Sequence, residues 1–127
     1  MLAPVVVFVY TRPEHTQQTL ESLAKNSLAD ETEVYIYSDA AKSKKAQHQV
    51  KRVREYIDSL TQRNLFKSLK IIKAETNKGL AISVISGVTE IVEQYGKVIV
   101  VEDDLVSAPD FLQYMNGALD FYEGDNK

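Results

Sequence analysis

Three carboxylates stand in a row at Glu102-Asp103-Asp104, directly after the apolar run Val98-Ile99-Val100-Val101. Such a run predicts a strand buried on both faces, as in parallel sheets. Side chains alternate along a strand, so Glu102 and Asp104 are expected on one face and Asp103 on the other. Carboxylates this close repel and raise one another's pKa unless a cation lies between them. Oxygen-only ligands suit Mg²⁺ or Mn²⁺, and open α/β sheets bind ligands beyond the carboxyl ends of their strands. The competing reading is a solvated acidic turn that merely ends the strand.

Three further groups are expected at the same edge. Thr11-Arg12 follows the apolar run Pro4 to Tyr10, Asp39 follows Glu33 to Ser38, and Asn77-Lys78-Gly79 follows Leu69 to Lys73. Singly, Asp39 reads as a turn residue, Asn-Lys-Gly as turn chemistry and Arg12 as a surface charge. Together they are complementary. Arginine holds phosphate, an Asp accepts hydrogen bonds from a base or a ribose hydroxyl, and a glycine turn lets backbone approach a phosphate. With a metal at the acids, the edge describes a nucleoside diphosphate carrying a substituent.

The elements that must position these groups alternate. Strands are expected at Pro4 to Tyr10, Glu33 to Ser38, Leu69 to Lys73 and Lys97 to Val101. The first helix begins near Pro13, and Thr11 to Glu14 fits a capping box, with Leu20 and Leu23 inward. A helix over about Ala41 to Thr61 places Val50, Val53, Ile57 and Leu60 on one face. Another over about Leu80 to Tyr95 is expected to turn Ile82, Ile85, Val88, Ile91 and Val92 inward. The last runs from about Pro109 to Tyr122, with Gly124 after it and residues 123–127 as a polar tail. Strand–helix alternation on this period implies right-handed βαβ units and a parallel sheet.

Composition narrows the class. The 127 residues are one domain by size, 44% hydrophobic and 26% charged, with a net charge of −3. No cysteine means no disulfide or thiolate site, and two histidines argue against a histidine-rich zinc site. The run Leu2 to Tyr10 lacks a basic leader and is too short to span a bilayer, so a cytoplasmic location is expected. From Lys42 to Lys73 there are ten Lys or Arg against two acids. That block reads as a solvated helix face. Peripheral docking to anionic headgroups is a weaker expectation, and nucleic acid is not expected as a partner, because stacking aromatics are scarce.

With these residues in place, the chain resembles a known family. Val98 to Asp104 resembles the metal-binding "DxD-type" strand end of GT-A glycosyltransferases. Glu102-Asp103-Asp104-Leu105 with Ser107 to Tyr114 is similar to the EDDL…APDF..Y segment of N-acetylglucosaminyltransferase I and bacterial relatives. Val5 to His15 with Thr19 to Leu23 resembles the opening of family 2 transferases, and Asn77-Lys78-Gly79-Leu80-Ala81 matches their NxGLA element. The resemblance implies a three-layer α/β/α, Rossmann-like parallel sheet of about four strands, order 3-2-1-4. It covers residues 1–127 as the nucleotide-sugar-binding half of a longer enzyme.

Carried over residue by residue, the resemblance makes Asp104 the ligand of Mn²⁺ or Mg²⁺. Glu102 and Asp103 fall near the ribose or base, Asp39 at the base, Thr11 and Arg12 in the first nucleotide loop. Asn77, Gly79 and Leu80 border the base or diphosphate. It also implies a nucleotide-sugar donor, foremost a UDP-sugar, and inverting transfer to a hydroxyl of a carbohydrate or glycan acceptor. Ser83, Val84 and Ile85 stand where relatives carry Ala-Arg-Asn, and Ala40-Ala41 where they carry Gly-Ser. The catalytic base is expected downstream of Lys127, leaving this chain with donor binding and little turnover, and an exposed interface that would favour a homodimer. A non-catalytic nucleotide-binding or regulatory module is the first rival. Phosphoacceptor receivers need acids after the first strand, where Tyr10-Thr11-Arg12 stands, and sugar-phosphate nucleotidyltransferases need a glycine-rich loop there.

Overall fold

The computed structural model describes residues 2–125. Four strands, β1 (Val5–Val9), β2 (Glu33–Ser38), β3 (Ser68–Lys73) and β4 (Ile99–Glu102), alternate with helices α1 (Pro13–Ala24), α2 (Lys44–Ser59), α3 (Leu80–Tyr95) and α4 (Phe111–Asp125). All pairings are parallel and the order is β3-β2-β1-β4, as expected. The chain winds outward from β1 to β3, then returns to β1's other flank for β4. The switch point therefore lies between β1 and β4, where open α/β sheets place their ligands.

One face of the sheet (Val5, Val7, Val9, Val34, Ile36, Ile99 and Val101) packs on Leu20 and Leu23 of α1, Val53 and Ile57 of α2 and Leu112 of α4. The opposite face (Val6, Phe8 and Tyr35) is covered by α3 through Ile91, with Val84, Val88 and Tyr95 beside it. This asymmetry corrects two expectations. β4 is an edge strand with alternating burial, so Val100 is 41% exposed rather than enclosed. A valine-rich run occurs in either setting, and only the strand order decides between them.

The third helix has the expected limits but not the expected inward face. Ile82 and Ile85 are 58% and 67% exposed, and Val92 is also exposed. Gly87 is the reason. A Cβ built there would lie 2.9 Å from Phe8 Cε1 and 3.3 Å from Tyr37 Cε2, so α3 presses its side-chain-free spot onto the stacked Phe8–Tyr37 pair. That contact rotates the apolar stripe containing Ile82 and Ile85 away from the sheet.

Three boundaries also differ. Arg12, not Thr11, is the N-cap of α1, and no side chain caps it. The second helix begins at Lys44 and ends in a 3-10 turn at Leu60–Gln62. The fourth helix runs through Gly124 to Asp125, because one glycine lowers helix propensity without forbidding it. Asn126 and Lys127 of the expected tail lie outside the described residues.

Candidate functional site

The carboxyl ends of β1, β2 and β4, with the start of α3, enclose a cleft of about 530 Å³, a size that suits a small organic ligand. Its lining includes Thr11, Arg12, Asp39, Asn77, Gly79, Leu80, Glu102, Asp103 and Asp104. All nine residues singled out from the sequence thus meet in one place. Phe8, Tyr10, Tyr37, Lys42 and Ser83 line it too, and none of them was assigned a role from the sequence.

On the β2 side, Asp39 is nearly buried and fully engaged. Its Oδ1 accepts from the backbone N–H groups of Ala40 (2.8 Å) and Lys78 (3.0 Å). Its Oδ2 accepts from Gly79 N–H (3.0 Å) and the Asn77 amide (3.2 Å). A carboxylate offers about four acceptor positions, so this one is satisfied by the chain itself. Asn77 Nδ2 also donates to Ala40 O at 2.9 Å. Gly79, at φ +82°, occupies backbone space that side-chain-bearing residues avoid, and its carbonyl accepts the first helical bond, from Ser83 N–H at 3.0 Å. One carboxylate therefore folds the Asn77–Gly79 turn into the N-terminus of α3.

Behind this clasp, Arg54 of α2 donates to Ser38 Oγ (3.0 Å), Ser38 O (3.1 Å) and Ala74 O (2.9 Å). It ties the ends of β2 and β3 together next to Asp39. On the β1 side the Tyr10 hydroxyl accepts from Lys42 N–H at 2.9 Å, fixing the loop after β2. Tyr37's hydroxyl is buried beside the Glu90 carboxylate. Burial, with the Glu90 charge nearby, pushes this phenol up to about 12, so it stays a neutral hydroxyl.

The acidic side is built in the opposite way. Glu102 is the last residue of β4, paired across from Phe8, so it shares the cleft face. Asp103 and Asp104 lie in a turn closed by Leu105 N–H to Glu102 O at 3.2 Å. The strict alternation expected from a strand stops at Glu102, because the backbone turns there. Glu102 and Asp104 are exposed and Asp103 is half-buried. Burial raises Asp103's pKa; Arg12 and His15 oppose the rise, and the charges of Asp104 and Glu102 add to it. No hydrogen bond or ion pair from the chain satisfies these three carboxylates among the described residues.

No three carboxylate or imidazole groups converge closely enough to cage a metal ion among the described residues. What the turn offers is one or two uncommitted oxygen ligands at the mouth of a cleft. That donor set fits a hard divalent cation whose remaining positions are filled by water and substrate phosphates, the usual Mg²⁺ arrangement.

A parallel sheet of order 3-2-1-4 whose acidic strand end sits at the switch point defines a GT-A-like α/β domain. The chain belongs to the glycosyl transferase family 2, whose family model matches residues 5–126. Among solved structures, Staphylococcus aureus TarS superposes with a TM-score of 0.66 at 23% identity, over 97% of this chain and 20% of TarS. TarS 1-349 in complex with UDP-GlcNAc gives 0.64 at 23% identity, over 97% of this chain and 32% of that one. The chain thus spans about a fifth to a third of these structures, and at such identity the likeness establishes the fold. No protein with a curated description matches. No helix among the described residues is long and apolar enough to cross a membrane.

Proposed function

We propose that this chain is the donor-binding domain of a glycosyltransferase, holding a nucleoside-diphosphate sugar in the cleft at the β1/β4 switch point. One observation carries the reading: the ends of β1, β2 and β4, with the start of α3, bring a completed clasp and an uncompleted acidic turn to opposite sides of one cleft. The clasped turn at Asn77–Gly79 forms the wall for the base. Thr11 and Arg12 stand between the two sides, where a guanidinium can pair with phosphate. UDP-GlcNAc, the ligand of the TarS complex, has the required chemistry, and a UDP-sugar is the donor proposed.

Asp104, exposed and unpartnered, would hold Mn²⁺ or Mg²⁺, with Asp103 and Glu102 turned toward the nucleoside. When bound, such a cation supplies Lewis-acid stabilisation of the leaving diphosphate. The chain's own residues orient the donor and present its anomeric carbon at the cleft mouth for attack by an acceptor hydroxyl. A carboxylate base would take the hydroxyl proton, a contribution of about 10²–10⁴-fold, and none of the cleft's carboxylates is assigned that task. The reading therefore predicts donor binding with little transfer by these residues alone.

Titration calorimetry with UDP, GDP, CDP and their sugar conjugates, with Mn²⁺ and then with excess EDTA, tests it. Mn²⁺-dependent binding of one nucleotide class is expected. A folded protein that binds none of them would overturn the reading.

A further inference from the structure

The acidic turn lies at the end of an edge strand, and like charges should drive it apart, yet the chain just beyond it is firmly held. From 103 to 110 the backbone belongs to no strand or helix. Its anchor is the C-terminal end of α1. Ser22 Oγ accepts from Ser107 N–H at 3.1 Å, three residues after Asp104. Asn26, only 6% exposed, donates through Nδ2 to Ser107 Oγ (3.1 Å) and to Ser22 O (3.1 Å). Its Oδ1 accepts from Leu112 N–H at 2.8 Å, in the first turn of α4. Ser27 N–H donates to Pro109 O at 3.0 Å.

The acidic turn thus hangs between two fixed points, the β4–β1 pairing at Glu102 and this buried polar node. Only four residues, 103–106, separate them. Asn26's amide orientation follows from its partners, because Leu112 N–H needs an acceptor and Ser22 O a donor.

We infer that Ser22 and Asn26 are positioning residues for the acidic turn: they hold Asp104 where it can share a divalent cation with a bound diphosphate. The inference rests on the donor-binding reading proposed above. It assigns a role to residues that touch neither the cleft nor the ligand. Groups hydrogen-bonded directly to a metal ligand typically change metal affinity by about 10–100-fold when lost, and Ser22 and Asn26 act through the backbone between Asp104 and Ser107, so the lower end of that range applies.

The test uses Asn26→Ala and Ser22→Ala in the 127-residue chain. Mn²⁺-dependent UDP binding is measured by calorimetry, free Mn²⁺ by its EPR signal, and uridine binding in EDTA by ligand-observed NMR. Asn26→Ala is expected to weaken Mn²⁺-dependent UDP binding about tenfold and leave uridine binding unchanged. Ser22→Ala, a mild change on a helix, should shift the same quantity in the same direction by less, and serves if Asn26→Ala does not fold. An equal loss of both affinities, or lower thermal stability with Mn²⁺-dependent binding unaltered, would show a node that only supports the fold and would overturn the inference. If the unsubstituted chain binds uridine but shows no Mn²⁺-dependent UDP binding, the metal reading fails and the tether's role fails with it.

Discussion

The two sides of the cleft spend their carboxylates differently. Asp39 accepts four hydrogen bonds from residues 40 and 77–79 and is nearly buried. Glu102, Asp103 and Asp104 receive none among the described residues, although Asp103 is half-buried and its pKa is raised by that burial. A satisfied anion builds structure, and an unsatisfied one is available to a ligand. Removing the first should cost folding and removing the second should cost binding.

The largest effect is expected from Asp39→Ala, which strips acceptors from three backbone amides and the Asn77 amide. An unsatisfied group costs about 1–3 kcal/mol when buried, and water reaches part of this turn, so a loss of about 3 kcal/mol is predicted by urea unfolding. Nucleotide binding should weaken with it. Asp104→Ala sharpens the contrast. Mn²⁺-dependent UDP binding should disappear while the unfolding midpoint stays put, because a crowded anion has been removed; retained binding would refute the metal assignment.

Gly79→Ala comes next. At φ +82° and ψ 157°, a region essentially reserved for glycine, a side chain is strained by about 1–3 kcal/mol, and the start of α3 should fray, visible as faster amide exchange at residues 80–83. The smallest effect lies outside the cleft, at Glu21, which accepts from Arg63 (2.6 and 3.0 Å) and from the Tyr56 hydroxyl (2.6 Å). Arg63 first, then Tyr56, holds this carboxyl below its ordinary value of 4.5. Its stabilising contribution is present above that value and fades as pH falls through the lowered one. Glu21→Gln should cost under about 1 kcal/mol at neutral pH, and the difference from the parent should vanish in acid.

Much of this was legible in the sequence because it is local. The strand–helix alternation, the limits of α3, the strand order implied by the family resemblance and the nine cleft residues follow from short motifs and their spacing. The inward face of α3 was not legible. That helix is apolar on two sides, and Gly87, which carries no hydrophobic signal, selects which side meets Phe8 and Tyr37. The burial of β4 depends on its edge position, which four valine and isoleucine residues do not encode. Asp39's partners lie up to 40 positions away and the Asn26–Ser107 bond spans 81, so neither leaves a local trace. Asp39 is marked in the sequence only by following a strand and by the family resemblance, and the turn it clasps at Asn77–Gly79 is visible only in the fold.

The most direct measurement is a crystal structure of the chain with UDP and Mn²⁺. The account predicts the metal bound between Asp104 and the diphosphate, with Asp39 still gripping Lys78, Gly79 and Asn77. A nucleotide bound away from the acidic turn, or a metal coordinated without Asp104, would contradict it.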